Sequence, residues 1–129
     1  MIDTKTLITD YLRTLSGQPK TSAAVARYVA DEGLRRHIAD VEAAFPRYEI
    51  SADDLLCEGN KVVVRGTFHG VHMGPFAGVP PTQCRVSAGL IIIYEIVQDR
   101  IVNHWMQFDL FSLVRQLEAA ASGMAGVTA

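Results

Sequence analysis

The residues best suited to chemistry fall near the end of an apolar, strand-like run, Ile101-Val102-Asn103-His104-Trp105-Met106-Gln107-Phe108-Asp109. Counted by twos, Asn103, Trp105, Gln107 and Asp109 share one face, which mixes a large aromatic with polar groups as a ligand pocket does. A carboxylate partly withdrawn from water has its pKa raised, so Asp109 would serve there as a base near neutral pH. Abstraction of a proton α to a carbonyl would follow, provided that a donor stabilises the enolate oxygen. Asp109 also stands directly before a helical pattern and suits an N-cap, and one residue can do both. Trp105 offers either a flat ligand wall or ordinary core packing.

Three histidines lie near these segments. His72, in a glycine-rich stretch, would donate to a substrate oxygen, shuttle a proton, or simply anchor its loop through the backbone. His69 has the opposite strand parity and reads as a surface residue. His104 is opposite in parity to Trp105 and Asp109, which assigns it to the outer face of its strand, with a ligand contact as the alternative. No His-x-His or Glu-x-x-His spacing is present, so no metal site is expected. Glu95 depends on register. A three-residue turn, Val97-Gln98-Asp99 with Asp99 left-handed, would put it on the Asp109 face; a two-residue turn would put it on the other. Two carboxylates in one apolar pocket would separate into an acid and a base. Phe68, Phe76, Tyr94 and Phe108 read as core or pocket-rim aromatics.

The elements that must position these residues change period along the chain. Leu7, Ile8, Tyr11, Leu12 and Leu15 form an apolar stripe at helical spacing, and Gly17 and Pro19 end it. An alanine-rich helix is expected over about 20–30. A third, capped by Asp31, carries Leu34, Ile38, Val41 and Phe45 and stops at Pro46. From Tyr48 the period becomes two. Glu58-Gly59-Asn60-Lys61 is a hairpin signal, strand follows to about Met73, and residues 74–82 form a Gly/Pro loop. Arg85–Ile96 and Ile101–Phe108 form a second hairpin. Leu110, Leu113, Val114 and Leu117 give a short terminal helix, with a frayed tail from about residue 119. The fold class is therefore α+β, a single domain over residues 1–129.

Both faces of the second hairpin want cover, because Leu90-Ile91-Ile92-Ile93-Tyr94 is apolar on each side. Three short helices cover one face, and a homodimer through the outer sheet face would cover the other. Hydrophobic residues make up 49% and charged residues 20%, with a formal net charge of −2, which suits a compact globule and argues against a nucleic-acid surface. No apolar run is long enough to cross a membrane. Cys57 and Cys84, in no metal or redox spacing, read as reduced thiols in a cytoplasmic protein with no signal peptide.

Two segments taken in order, Gly70-Val71-His72-Met73-Gly74-Pro75-Phe76-Ala77-Gly78-Val79-Pro80-Pro81-Thr82 and Ile101-Val102-Asn103-His104-Trp105 with Asp109 four residues on, resemble the SnoaL-like polyketide (ester) cyclases of the NTF2-like superfamily. Ala44-Phe45-Pro46 and Glu58-Gly59-Asn60-Lys61-Val62-Val63-Val64-Arg65 extend the likeness, which runs from about Tyr28 to Leu117. Val71, Gln83 and Asp99 depart from the family pattern of Thr, Gly and Gly. The resemblance implies a cone-shaped, curved antiparallel or mixed sheet wrapped round helices, a pocket inside the cone, and a dimer. It implies intramolecular aldol cyclisation without metal or cofactor, with Asp109 as acid/base.

Taken together, the expected function is acid/base catalysis on a small apolar or aromatic carbonyl compound. Asp109, His72 and Glu95 would be catalytic, and Trp105, Gln107, Asn103, Tyr94, Phe68 and His104 would touch the ligand. A non-catalytic ligand-binding or dimerisation module, or an isomerase, dehydratase or hydrolase on the same fold, are the alternatives, because fold does not choose among them.

Overall fold

A computed structural model describes residues 3–128. Its elements run α1 (Thr4–Leu15), α2 (Ser22–Tyr28), α3 (Glu32–Ala44), β1 (Glu49–Glu58), β2 (Lys61–Val71), β3 (Arg85–Val97), β4 (Arg100–Phe108) and α4 (Leu110–Thr128). The helical stripes form as their spacing requires, with Leu7, Ile8, Tyr11, Leu12 and Leu15 all buried. Thr21 caps α2 by accepting from the Ala24 N–H, and Asp31 caps α3 by accepting from the Leu34 N–H. α4 is longer than the short helix expected. It continues where a frayed tail was anticipated, and Gln116 ties it to β3 through the Ser87 carbonyl at 2.7 Å.

The four strands form one antiparallel meander in the order β1-β2-β3-β4. No parallel pair joins this sheet, so it is antiparallel rather than mixed; the parallel contact is an isolated bridge from Val29 to Ile101. Long paired strands twist, and here two irregularities add to the curl. Asp53 is an extra residue between the Ala52–Gly66 and Asp54–Arg65 pairs, and a side chain at Gly66 would collide with the Ser51 carbonyl. Val102 is the second extra residue, between the Ile96–Ile101 and Glu95–Asn103 pairs.

The concave face is the core. Val62, Val64 and Phe68 of β2 and Val86, Ala88, Leu90, Ile92, Tyr94 and Ile96 of β3 alternate inward against the helices. Each large one contributes about 1.5–3 kcal/mol by leaving water. The convex face is open. Leu56, Val63, Ile93 and Trp105 lie side by side across all four strands, with Ile91 adjacent. Leu56 is 68% and Trp105 47% exposed. Charged and polar residues border this row, Lys61, Glu95 and Asn103 on one side and the Arg65–Asp54 ion pair on the other. Among the described residues no helix is long and apolar enough to cross a membrane.

Candidate active site

Between the concave sheet and the helices lies a cavity of about 380 Å³, a usual size for a small-molecule site. Leu90, Ile92, Met106 and Phe108 form its sheet wall, and Leu34, His37, Ile38 and Val41 of α3 face them. Its aromatic side is a packed set in which Phe68 meets Phe45 at 5.2 Å, Tyr48 at 5.4 Å and Phe108 at 5.7 Å between ring centroids.

Three phenols reach this cavity from different elements: Tyr11 from α1, Tyr48 from the segment before β1, and Tyr94 from β3. Burial, and for Tyr48 and Tyr94 the neighbouring phenols next, push the pKa of each well above the usual phenol value. All three are therefore neutral donors at any working pH. The Tyr11 and Tyr94 rings stand edge-on with centroids 5.7 Å apart. The Tyr48 hydroxyl makes no hydrogen bond to any described residue. Its ring is held instead by the Lys20 ammonium, 4.0 Å from the centroid, and that ammonium also bonds the Tyr48 carbonyl at 2.7 Å.

Outside the lining, next to Tyr94 and Met106, the start of α3 meets β4. His104 Nδ1 lies 2.7 Å from Asp31 Oδ2, and both side chains are largely buried. A carboxylate only accepts, so Nδ1 carries a proton, and in the neutral imidazole the lone pair is on Nε2. Burial alone would raise the Asp31 carboxyl, but bonds from His104 and from the Leu34 and Gly33 N–H groups outweigh it and hold the pKa below the carboxylate range. His37, exposed at the cavity rim, has its pKa lowered by partial burial and then by the His104 charge, against the opposing pull of Asp40. Among the described residues no three His, Cys, Asp or Glu side chains converge as metal ligands would.

The structure places several of the expected site residues elsewhere. Asn103, Trp105, Gln107 and Asp109 point to the convex face, and of these only Gln107 touches the cavity, at its edge. Asp109 is exposed and caps α4, accepting from the Ser112 N–H at 3.1 Å. Trp105 lies under Lys61, whose ammonium is 5.5 Å from the ring centroid. The shallower hollows near Trp105 and Asp109 are open sheet surface. Glu95 pairs with Asn103 and so shares the Asp109 face, but that face is convex. The turn is a two-residue one, with Gln98 and Asp99 both left-handed (φ 51° and 60°), and the Val102 bulge restores the parity that a three-residue turn would have given.

His72 does not reach the cavity. It is fully buried behind Phe45, with Thr82 bonding its Nδ1 through the backbone N–H at 3.2 Å, so it pins the glycine-rich loop. Burial lowers its pKa, opposed by the Gly74 backbone. A side chain at Gly74 would strike the Ala43 carbonyl, so this loop seats directly on the end of α3. His104, expected on the outer face, is on the concave one, paired with Tyr94 and two residues from Met106. Tyr94 and Phe68 do line the cavity. Tyr11 and Tyr48 carried no functional signal beyond their place in apolar patterns, and His37 carried none at all.

The SnoaL-like polyketide cyclase family model matches residues 16–117. The chain belongs to this family. Solved structures agree with that placement across nearly the whole chain. TsrD from Streptomyces laurentii is 30% identical, covering 91% of this chain and 98% of its own, with a TM-score of 0.73. A SnoaL-like polyketide cyclase from Agrobacterium tumefaciens superposes with a TM-score of 0.73 at 21% identity, over 91% of this chain and 99% of its own. AclR from Streptomyces galilaeus, for which a hydroxylase activity has been suggested, does so at 0.76 and 21% identity, over 97% and 94%. A search of curated protein sequences finds no match. The α+β architecture seen here, four helices on a curved four-stranded antiparallel sheet, matches the fold of these neighbours.

Proposed function

We infer that this protein is a polyketide cyclase-like enzyme that binds a small apolar or aromatic carbonyl compound in the concave cavity. It acts by acid/base chemistry supplied by its own side chains. The observation that carries the reading is the partly enclosed, mainly apolar cavity with neutral phenols at one side. The ring system of a ligand rests against Phe68, Phe108, Leu90 and Ile92. Its carbonyl oxygen lies at Tyr48 and Tyr11, both of which line the cavity. Removal of an α proton turns that oxygen into an enolate oxygen. Pre-positioned donors stabilise the enolate more than the ketone, which is the differential binding that accelerates enolisation. The enolate carbon attacking a second carbonyl of the same molecule closes a ring.

A second reading has its own observation. The sheet wall of Leu90, Ile92, Met106 and Phe108 is apolar and Asp109 lies outside the lining, which suits a binding module that holds a carbonyl ligand without turnover. Thermal-shift screening against aromatic and alicyclic ketones tests both, because a pocket ligand raises the melting temperature by mass action. NMR and mass spectrometry of the stabilising diketones after incubation separate them. A ring-closed product of unchanged mass, or one lighter by a water, supports the enzyme; binding without change supports the module. No stabilising ketone removes both.

The convex apolar row supports a second copy of this chain as its cover, the polar borders forming the rim of a two-fold interface. Light scattering at micromolar concentration tests this, with twice the chain mass as the expected result.

A further inference from the structure

We propose that Asp31 and His104, which lie just outside the cavity lining beside its residues Tyr94, Met106 and His37, are the acid/base pair that serves it, with His104 Nε2 as the atom that takes and returns the proton. The proposal rests on the cavity being a carbonyl site. β4 offers His104, Met106 and Phe108 to the concave face, and of these only His104 can exchange a proton. Its Nδ1 is committed to Asp31 at 2.7 Å, which fixes the tautomer and turns the lone pair of Nε2 away from the carboxylate. Nε2 makes no hydrogen bond to any described residue, and the side chain keeps 21% of its surface exposed, so it is neither sealed in nor solvated on all sides. The titratable groups around it are Asp31 and His37 of α3 and Tyr94 of β3.

Asp31 comes at no cost to the fold, because the same carboxylate caps α3 with Oδ1, 3.2 Å from the Leu34 nitrogen, and holds His104 with Oδ2. The anchoring continues behind it. The Ala30 and Asp31 N–H groups both bond the Ile101 carbonyl, at 2.8 and 3.1 Å, so the carboxylate is tied to the strand that carries its partner. In the step, the bond between the α carbon and its hydrogen breaks and the proton goes to Nε2. The electron pair forms the enolate double bond, and the former carbonyl pair moves to the oxygen held by the phenols. The imidazolium so formed is stabilised by Asp31 and returns its proton to carbon or oxygen.

Deuterium uptake at the α carbon of 2-tetralone, followed by NMR in D2O, reads this step without the natural substrate. The expected result is uptake above buffer rate, rising with pH as the imidazole loses its proton. His104→Gln should bring it down about 100-fold, the usual scale of a positioned base, while 2-tetralone still raises the melting temperature. Asp31→Asn keeps the helix cap; it should lower the plateau and move the pH profile to lower pH, a shift that a purely structural tie between α3 and β4 would not produce. The imidazole signals of His104 in the wild-type protein should move on saturation with 2-tetralone, a readout that survives if the variants fail to fold. Uptake retained in His104→Gln, or lost in His37→Gln instead, overturns the assignment and leaves the carbonyl site standing. Unmoved His104 signals in a saturated protein do the same. A wild-type protein that does not bind 2-tetralone counts against the carbonyl site itself, and the assignment falls with it.

Discussion

Tyr48→Phe deletes a single oxygen from the cavity, and the structure gives opposite expectations for stability and binding. The ring stays, so the packing on Phe68 and the Lys20 ammonium over its face are kept. The lost hydroxyl has no hydrogen bond to a described residue, so no protein partner is orphaned. Stability should then change by less than about 0.5 kcal/mol, the range for substitutions that break no named interaction. In binding, a neutral ketone oxygen loses one donor, worth ~1 kcal/mol or about five-fold in Kd. Where the oxygen carries enolate charge the loss is ~2–3 kcal/mol, roughly 30- to 160-fold in the exchange rate. Calorimetry with 2-tetralone and with tetralin, which has the same rings and no oxygen, isolates the term. The variant should lose affinity for the ketone alone. Equal weakening of both ligands, or a stability loss above about 2 kcal/mol, would refute the reasoning, because the hydroxyl would then be serving the fold.

Asp109→Asn keeps a good cap for α4 and should leave both melting temperature and deuterium exchange unchanged, whereas Asp109→Ala should cost about 0.5–2 kcal/mol in a denaturant titration with exchange intact. Ile93→Asp places a charge in the middle of the convex apolar row and should give a monomer by light scattering, with ketone binding preserved. The depressed Asp31 carboxyl sets a pH dependence. Its ionised form is favoured in the folded state, so its contribution is complete above the usual carboxylate value of 3.8 and is lost as pH falls through the lower folded value. Urea midpoints measured between about pH 5 and pH 2 should therefore fall less steeply for Asp31→Asn than for the wild type.

Much of the fold was legible because its elements obey a single period each. The stripe from Leu7 to Leu15, the Asp31 cap, and the Glu58–Lys61 hairpin are local, and local rules found them. The site was legible as a cavity but not in its lining, and the cause is one residue. Parity along β4 reads straight through from Ile101, which is buried, to Trp105 and Asp109. The unpaired Val102 breaks that count, so the inward set after Ile101 is His104, Met106 and Phe108. No local signal marks a bulge at Val102, between Ile101 and Asn103. The Asp31–His104 contact spans 73 positions and joins a helix cap to a strand, so neither partner announced the other. His37 looked like one more polar residue on a surface helix. His72 read as reactive because its type is reactive; its burial behind Phe45 needed the tertiary structure.

The bulge has a consequence for how such a pocket changes over time. β4 carries two complete linings on one strand: His104, Met106 and Phe108 on one side, Asn103, Trp105, Gln107 and Asp109 on the other. A ladder running without the irregularity would pair Val102 with Glu95 and turn the second set inward, with no substitution anywhere. Here that slip is opposed, since it would bury Asn103 and Gln107 and expose Met106 and Phe108. Insertions and deletions near this hairpin therefore act on the ligand directly. A lineage could exchange its whole repertoire of contacting side chains in a single event, faster than point mutation rebuilds a wall residue by residue.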